Sequence, residues 1–148
     1  MSIKLIYDKY ENDIGFSYGQ YNEKEYEILE SIDDIPIKYD RNLDIYTWGI
    51  KKHKPMKCDI VFDATLFNTK IDCDVKNLTG LDEIIQTSIK NHPMFDTIIE
   101  RIITEIETKQ PKSIGIYCNY GKHRSVGWAE IIKKIYYNKS NLKHIGIN

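Results

Sequence analysis

The sequence predicts an α/β domain in which helices flank a mixed, partly parallel sheet. A nearly continuous apolar run at residues 58–64 is typical of a central strand that is covered on both faces. Two segments with helical spacing follow this run, and a second apolar run occupies residues 114–117. The order strand, helices, strand implies a parallel crossover, because the helices return the chain to the edge where the first strand began.

The amino-terminal part of the chain predicts shorter elements. Residues 3–7 and 14–18 are rich in β-branched and aromatic side chains, and the polar turn between them favours a hairpin. Residues 23–32 carry apolar side chains at helical spacing and predict a short helix. We therefore interpret residues 1–45 as a divergent extension of hairpin and helix, placed before the core of the same domain.

The elements of the core, residues 46–148, follow in order. A strand is predicted at 43–50, ahead of the apolar run described above. Residues 81–89 place apolar side chains on one side of a helix. The next helix is predicted to begin at Pro93, because the first helical N–H has no partner and a proline is tolerated there. Residues 142–147 predict a last strand.

Composition indicates one domain, 1–148, without a strong overall charge. The chain has 148 residues, of which 41% are hydrophobic and 29% are charged, and this is enough for one core. The formal net charge of -1 gives no general attraction to nucleic acid or anionic membranes. Because no stretch approaches the roughly 20 apolar residues that cross a bilayer, we expect a cytoplasmic (intracellular) protein without a membrane partner.

Cysteine and histidine usage gives no indication of a metal site. The three cysteines are widely separated and form no Cys-x-x-Cys pair, which favours a reducing compartment. We therefore predict no metal and no cofactor. His92 and His144 are interpreted as surface residues, whereas Trp48 and Trp128 are expected in the core.

A polar loop lies between the second apolar run and the helix after it. It reads Cys118, Asn119, Tyr120, Gly121, Lys122, His123, Arg124 and Ser125. A loop that joins a strand to a helix turns several backbone N–H groups toward one point, and the helix start adds its positive end. Arg124 can grip two phosphate oxygens, Lys122 adds a mobile charge and Ser125 can donate its hydroxyl. We therefore expect the loop to bind a phosphorylated small molecule at the carboxyl end of a central parallel strand.

The same loop allows a second, enzymatic interpretation. Cys118, Arg124 and Ser125 have the Cys-x-x-Gly-x-x-Arg-Ser spacing of cysteine-dependent phosphatases, in which a thiolate attacks phosphorus. Against this, Tyr117 stands where those enzymes usually have a histidine, and the commonest role of a free cysteine is burial. Three aspartates are candidates for the acid by residue type alone: Asp63, Asp72 and Asp74.

Four separated segments carry the residues of one known family in the same order. They read Thr-Trp-Gly-Ile-Lys from Thr47, Asp-Ile-Val-Phe-Asp-Ala from Asp59, Leu-Thr-Gly-Leu-Asp from Leu78, and Gly-Lys-His-Arg-Ser-Val-x-x-Ala-Glu from Gly121. Together they resemble the C-terminal domain of RapZ, the bacterial RNase adapter protein, over roughly residues 46 to 137. The resemblance implies a domain that senses glucosamine 6-phosphate and that, in the full protein, contacts small regulatory RNA and an endoribonuclease.

Departures from the family pattern concern the ATPase domain and the ligand. Residues 1–45 show no counterpart of the family's N-terminal ATPase domain, so the resemblance implies a stand-alone C-terminal domain without nucleotide hydrolysis. Asn119 and Tyr120 replace a Thr-Gly pair, which leaves the identity of the ligand open. A basic residue that the family carries after the Phe-Asp pair is absent, and Lys51 or Lys70 could replace it.

Further residues are expected to contribute to the site or to bind a macromolecule. Additional contacts with the ligand are predicted for Lys51, Lys52, His53 and Asp63. The lysines of residues 51–57, with Trp48 and His53, form a candidate patch for RNA, because phosphate contacts need clustered cations and stacking needs a flat ring. Such a run is more often a solvated loop. A protein partner and a homo-oligomer both remain open.

Overall fold

A five-stranded sheet is the framework of the protein. The structure, a computed structural model, describes residues 2–5 and 38–147. The strands are β1 (Ser2–Lys4), β2 (Asp44–Gly49), β3 (Ile60–Asp63), β4 (Ser113–Cys118) and β5 (Asn141–His144). Their order across the sheet is β1-β3-β4-β2-β5, and every neighbouring pair is parallel. The predicted α/β fold is confirmed, and the described part of the sheet is wholly parallel.

Within residues 38–147, three helices flank the sheet. They are α1 (Glu83–Lys90), α2 (Phe95–Lys109) and α3 (Arg124–Ile131), and α3 continues into a π-helical turn, Ile132–Tyr136. The first two connect β3 to β4, which confirms the predicted parallel crossover. Both begin two residues after the predicted positions. The last strand is shorter than predicted, because the chain leaves β5 at His144 and forms a 3-10 turn, Ile145–Ile147.

The amino-terminal prediction is tested only in part. Strand β1 runs parallel to β3, with Ile3 opposite Phe62, and forms one edge of the sheet. The rest of the predicted hairpin and the predicted helix at 23–32 lie outside the described residues.

The core lies between the sheet and the helices. The apolar stripe of α2 contributes Phe95, Ile98, Ile99, Ile102 and Ile106, all of which are buried. Trp128 is fully buried, with its ring 5.1 Å from that of Phe67 and 5.4 Å from that of Phe95. Trp48 is also buried and stacks on Tyr117. Both tryptophans are therefore core residues, as predicted, and Trp48 cannot offer a free face to a base.

Three glycines allow backbone segments to touch at the carboxyl edge of the sheet. A Cβ on Gly49 would lie 2.2 Å from the carbonyl carbon of Tyr120, and one on Gly121 would lie 2.5 Å from the backbone nitrogen of Gly49. A Cβ on Gly146 would lie 2.4 Å from the carbonyl oxygen of Gly121. Gly121 also has a φ of +71°, which favours glycine. The loop after β4 is thus held between the end of β2 and the turn after β5.

A polar cluster ties the chain that enters β2 to α2. The Arg41 guanidinium donates from Nε and Nη2 to the two oxygens of Glu107, at 3.0 and 2.8 Å. The Tyr137 hydroxyl donates to the same carboxylate at 2.7 Å, and the Tyr137 ring stacks on Tyr39. The hydrogen bond from Arg41 is the largest influence on the carboxyl group and lowers the pKa of Glu107.

The glycine contacts predict that an added methyl group is costly only where it meets backbone. We expect Gly49→Ala to lower the free energy of unfolding by about 2 kcal/mol or more, because a fixed carbonyl group occupies the space. Gly127→Ala is a matched control, since the one close contact of its Cβ would be with the end of the Ile89 side chain, at 2.5 Å, and its other neighbours lie at ordinary van der Waals distances. Its cost should stay below about 1 kcal/mol, as alanine also favours the helix. Urea unfolding measures both, and equal losses would contradict the interpretation.

The Arg41–Glu107 pair predicts a pH dependence of stability. The pKa of Glu107 is below its ordinary value of 4.5 in the folded state, so its stabilisation is present above pH 4.5 and is lost as the pH falls through the lowered pKa. Glu107→Gln should therefore be less stable than the wild type at pH 7 and should approach it at pH 3. Urea midpoints across this range test the prediction, and parallel curves for the two proteins would refute it.

Candidate functional site

The loop that joins β4 to α3, residues 119–123, lies at the carboxyl end of the middle strand. We call it the anion loop. Its carbonyl groups are used by neighbouring segments: Lys51 N donates to Asn119 O at 3.0 Å, and Gly80 N donates to Lys122 O at 2.9 Å. Its amides are different. Within the described parts of the chain, the N–H groups of residues 120–123 have no protein acceptor. A strand-to-helix loop with unpaired amides has the donor arrangement that anions require.

The side chains of Lys122, His123 and Arg124, at the junction of the loop and α3, hold the segment that follows β3. Lys122 Nζ donates to Lys76 O at 2.6 Å, and His123 Nε2 lies 3.0 Å from Val75 O. Arg124 Nη1 donates to Thr65 O at 2.6 Å and approaches Phe67 O at 3.4 Å. This segment, residues 65–76, has no regular helix or strand, so its carbonyl groups need donors from elsewhere. We call it the β3 segment.

The Arg124 guanidinium retains donors that can serve a ligand. Both of its hydrogen bonds to described residues use Nη1, so Nη2 and Nε have no acceptor within residues 2–5 and 38–147. Sequence reasoning assigned Arg124 and Lys122 to phosphate and did not foresee their backbone partners. The structure gives Lys122 a contact in the protein itself, whereas Arg124 is anchored on one side and available on the other.

A cavity of about 230 Å³ lies between the β3 segment and α1. Its apolar wall comes from Ile71 and Val75 on the segment and from Ile85 and Ile89 on the helix. His123, from the loop, and Arg124, from the start of α3, also line it. The cavity therefore combines an apolar surface with an imidazole and a guanidinium group, an arrangement that suits an organic molecule carrying a negative group.

Cys118 and Ser125 lie beneath the anion loop. Both are buried, and the Cys118 Sγ atom is 3.2 Å from the Ser125 hydroxyl oxygen. The thiol ends β4 and the hydroxyl lies in the first turn of α3. This contact joins the strand to the helix, and it places the sulfur under the loop rather than at its surface.

The lysines after β2 surround the exposed ring of Tyr120. The Nζ atoms of Lys51 and Lys52 each lie 5.6 Å from the centre of this ring. These distances fit cation–π contacts. The Tyr120 residue as a whole is 54% exposed. Because Trp48 is buried, Tyr120 is the aromatic ring that this basic patch presents to solvent. Of the residues predicted for the patch, Lys51 and Lys52 flank this ring, whereas the buried Trp48 presents no ring at the surface.

The other predicted site residues shape the backbone near the loop. His53 Nδ1 accepts a hydrogen bond from the backbone nitrogen of Gly49 at 2.9 Å. Asp63 Oδ1 accepts from both the backbone nitrogen and the hydroxyl of Thr65, at 2.8 and 2.7 Å. His53 thus fixes the end of β2, and Asp63 fixes the start of the β3 segment.

The Leu-Thr-Gly-Leu-Asp run packs against the anion loop and α3. Gly80 approaches α3 so closely that a Cβ would lie 2.1 Å from the backbone nitrogen of Gly127. The Thr79 backbone nitrogen donates to the Asp82 carboxylate at 2.7 Å, and Gln86 Nε2 donates to Gly80 O. The run therefore packs against the anion loop and the start of α3 and holds them in place, a role that its sequence alone did not reveal.

The prediction that His144 lies on the surface is wrong. Its side chain is only 10% exposed and is hydrogen-bonded on both ring nitrogens, to Thr47 at 2.7 Å and to Glu130 at 2.9 Å. His92 is half-buried against Phe67, and this burial lowers the pKa of its imidazole. The signal for His144 was present, since Thr47 and Glu130 both belong to the segments that resemble the family.

Two other kinds of feature are absent from the described residues. Residues 2–5 and 38–147 contain no group of three or more histidine, cysteine or acidic side chains placed to hold a metal ion. None of the helices in the same residues is both long and apolar enough to cross a bilayer.

Comparison with known proteins agrees with the resemblance seen in the sequence. A family model described as the RapZ C-terminal domain matches residues 41–147. A nucleotide-binding protein of Thermotoga sp. strain RQ2 is 32% identical over 101 residues, which are 62% of this chain and 36% of that protein. A nucleotide-binding protein of Shewanella sp. strain W3-18-1 is 30% identical over 135 residues, 80% of this chain and 48% of that protein.

The chain therefore spans between about a third and about half of the length of these curated relatives. The family model, in contrast, covers most of the chain. This protein belongs to the RapZ C-terminal domain family.

Proposed function

We propose that the protein is a binding domain for a phosphorylated small molecule and that the anion loop holds the phosphate. One observation carries this proposal: the amides of four consecutive residues, 120–123, have no protein acceptor among the described residues. They lie at the carboxyl end of the middle strand and directly before α3. Parallel α/β sheets bind ligands at this edge, and a helix start favours negative charge.

The cations around the loop support a phosphate rather than a neutral ligand. Arg124 lies in the first turn of α3, where the helix dipole disfavours a positive charge unless an anion compensates for it. Its Nε and Nη2 atoms are neighbouring donors on one planar group, which is the geometry that grips two phosphate oxygens. Lys51 and Lys52 add positive charge at the exposed side of Tyr120.

The rest of the ligand would occupy the cavity beneath the β3 segment. Family membership supports an amino-sugar phosphate such as glucosamine 6-phosphate as the first candidate. The names of the relatives make nucleotides the second class to test. Binding of either ligand near His123 and Arg124 would be transmitted to the β3 segment, which these side chains hold. This link supports a sensor role, in which ligand binding changes the surface formed by the β3 segment and a partner recognises that surface.

Hydrolysis of a phosphate ester is the weaker candidate. The 3.2 Å contact between Cys118 Sγ and the Ser125 hydroxyl is an arrangement in which the hydroxyl could stabilise a thiolate. The sulfur is nevertheless buried beneath the loop, so a ligand seated on the amides need not reach it. Release of p-nitrophenol from p-nitrophenyl phosphate that is abolished by Cys118→Ser would favour the enzyme over the binding domain.

Phosphate binding predicts a localised response in the anion loop. We expect inorganic phosphate and glucosamine 6-phosphate to shift the backbone amide resonances of residues 120–123 and to raise the melting temperature. Arg124→Lys should weaken phosphate binding about tenfold or more, because lysine keeps the positive charge but lacks the planar pair of N–H donors that binds two phosphate oxygens. Arg101→Lys on α2 is the matched control and should bind as the wild type does. Unchanged loop resonances with sugar phosphates and nucleotides alike would reject the proposal.

A contact with RNA is proposed for the patch of Lys51, Lys52 and Tyr120. Its support is the exposed ring flanked by two ammonium groups, since RNA-binding surfaces combine base stacking with phosphate contacts.

This contact predicts salt-sensitive retention of single-stranded RNA. Lys51→Gln with Lys52→Gln should weaken retention and reduce the slope of log affinity against log salt by roughly 1–2. Lys109→Gln with Lys112→Gln makes the same charge change before β4, at the opposite edge of the sheet. Filter binding between 50 and 200 mM salt compares the two, and equal losses in both double variants would argue against a dedicated patch.

A further inference from the structure

A buried chain of hydrogen bonds joins three elements close to the anion loop. The Thr47 hydroxyl oxygen on β2 is 2.7 Å from His144 Nδ1, and the two residues are directly opposite each other in the β2–β5 pair. His144 Nε2 is 2.9 Å from a carboxylate oxygen of Glu130 on α3. Thr47 is fully buried, and the side chains of His144 and Glu130 are 10% and 15% exposed.

The direction of this chain follows from the groups in it. A carboxylate can only accept a hydrogen bond, so His144 Nε2 carries a proton and donates to Glu130. In the neutral imidazole, Nδ1 is then the acceptor, and the Thr47 hydroxyl donates to it. The orientation of the ring is therefore fixed from both sides.

The chain lies where the supports of the anion loop meet. Two residues after Thr47, the backbone of Gly49 touches Gly121, and two residues after His144, Gly146 touches the Gly121 carbonyl group. These contacts are backbone to backbone, so their spacing depends on the relative positions of β2 and the turn after β5.

We propose that the Glu130–His144–Thr47 chain is a positioning device that sets the geometry of the anion loop. It fixes the end of β5 against β2 and α3, and thereby holds Gly146 and Gly49 at the distances that shape the backbone around Gly121. None of its three members is assigned to the ligand. Its effect on affinity rests on the proposed function of the loop, whereas its effect on loop geometry does not.

The polar character of the chain supports this role. Buried polar groups are costly to desolvate, and apolar residues of similar size often serve stability equally well. A fully satisfied network instead specifies one arrangement, because each donor has one acceptor at one distance. Such preorganisation matters most for a loop whose amides must already be aligned when a ligand arrives.

Paired substitutions at both ends of the chain test the proposal. Thr47→Val removes the hydroxyl with little change in shape, and Thr47→Ser keeps it. Glu130→Ala removes the acceptor for Nε2, and Glu130→Gln keeps one. Ile45→Val, a conservative change of another buried residue of β2, is the control for a simple loss of stability. The readouts are hydrogen exchange of the amides of residues 119–123 without ligand, the affinity for inorganic phosphate and the urea midpoint.

We expect Thr47→Val and Glu130→Ala to speed exchange of the loop amides about tenfold and to weaken phosphate binding by a similar factor. Thr47→Ser and Glu130→Gln should keep the exchange rates of the loop amides and the phosphate affinity close to the wild-type values. Ile45→Val should lower the urea midpoint and leave the exchange rates and the affinity unchanged. If the change in loop exchange in all five variants simply parallels the change in urea midpoint, the inference is overturned. A wild type that binds no phosphate overturns the proposed function instead, and the exchange measurements still decide the positioning role.

Discussion

The close contact of backbone segments around Gly121 is the constraint on which the site depends. The end of β2, the anion loop and the turn after β5 approach one another where a single Cβ would collide with main-chain atoms. Such contacts cannot adapt by rotating a side chain, so they fix the loop more strictly than side-chain packing does. The geometry of these contacts depends on where the three segments lie. The apolar core, the order of the strands and the buried hydrogen-bonded chain through His144 together set those positions.

The same arrangement also concentrates hydrogen-bond donors and positive charge at the anion loop. Within the described residues, strand β4, the anion loop and the start of α3 bring together amides that have no protein acceptor and the side chains of Lys122, His123 and Arg124. Part of this positive character is satisfied inside the protein, by carbonyl groups of the β3 segment. The remainder lies at the loop amides and at two nitrogens of Arg124, which have no acceptor among the described residues and are the donors that the proposed anionic ligand would use. A net charge of -1 for the whole chain shows that this polarity is local.

The sequence allowed a good prediction of the interior and a poorer one of the site. Strand β4 is buried at most of its positions and β3 alternates between buried and half-buried ones, so both appear as apolar runs, and α2 shows its buried stripe through spacing. Strand β1 has three residues, too few to show whether it pairs with β3. The partners of Arg124 are 59 and 57 residues away, and Thr47 is 97 residues from His144. No local pattern records such contacts, so the loop could be identified while its supports could not.

The side chains of Lys122, His123 and Arg124 contact the β3 segment through its main-chain oxygens alone. Every amino acid supplies that oxygen, so these hydrogen bonds do not themselves depend on the side chains of the segment, although Phe67 also packs in the core. The side chains by which this segment lines the cavity, such as Ile71 and Val75, can therefore vary without loss of these hydrogen bonds. A family built in this way can diversify what it recognises without rebuilding the scaffold that presents it.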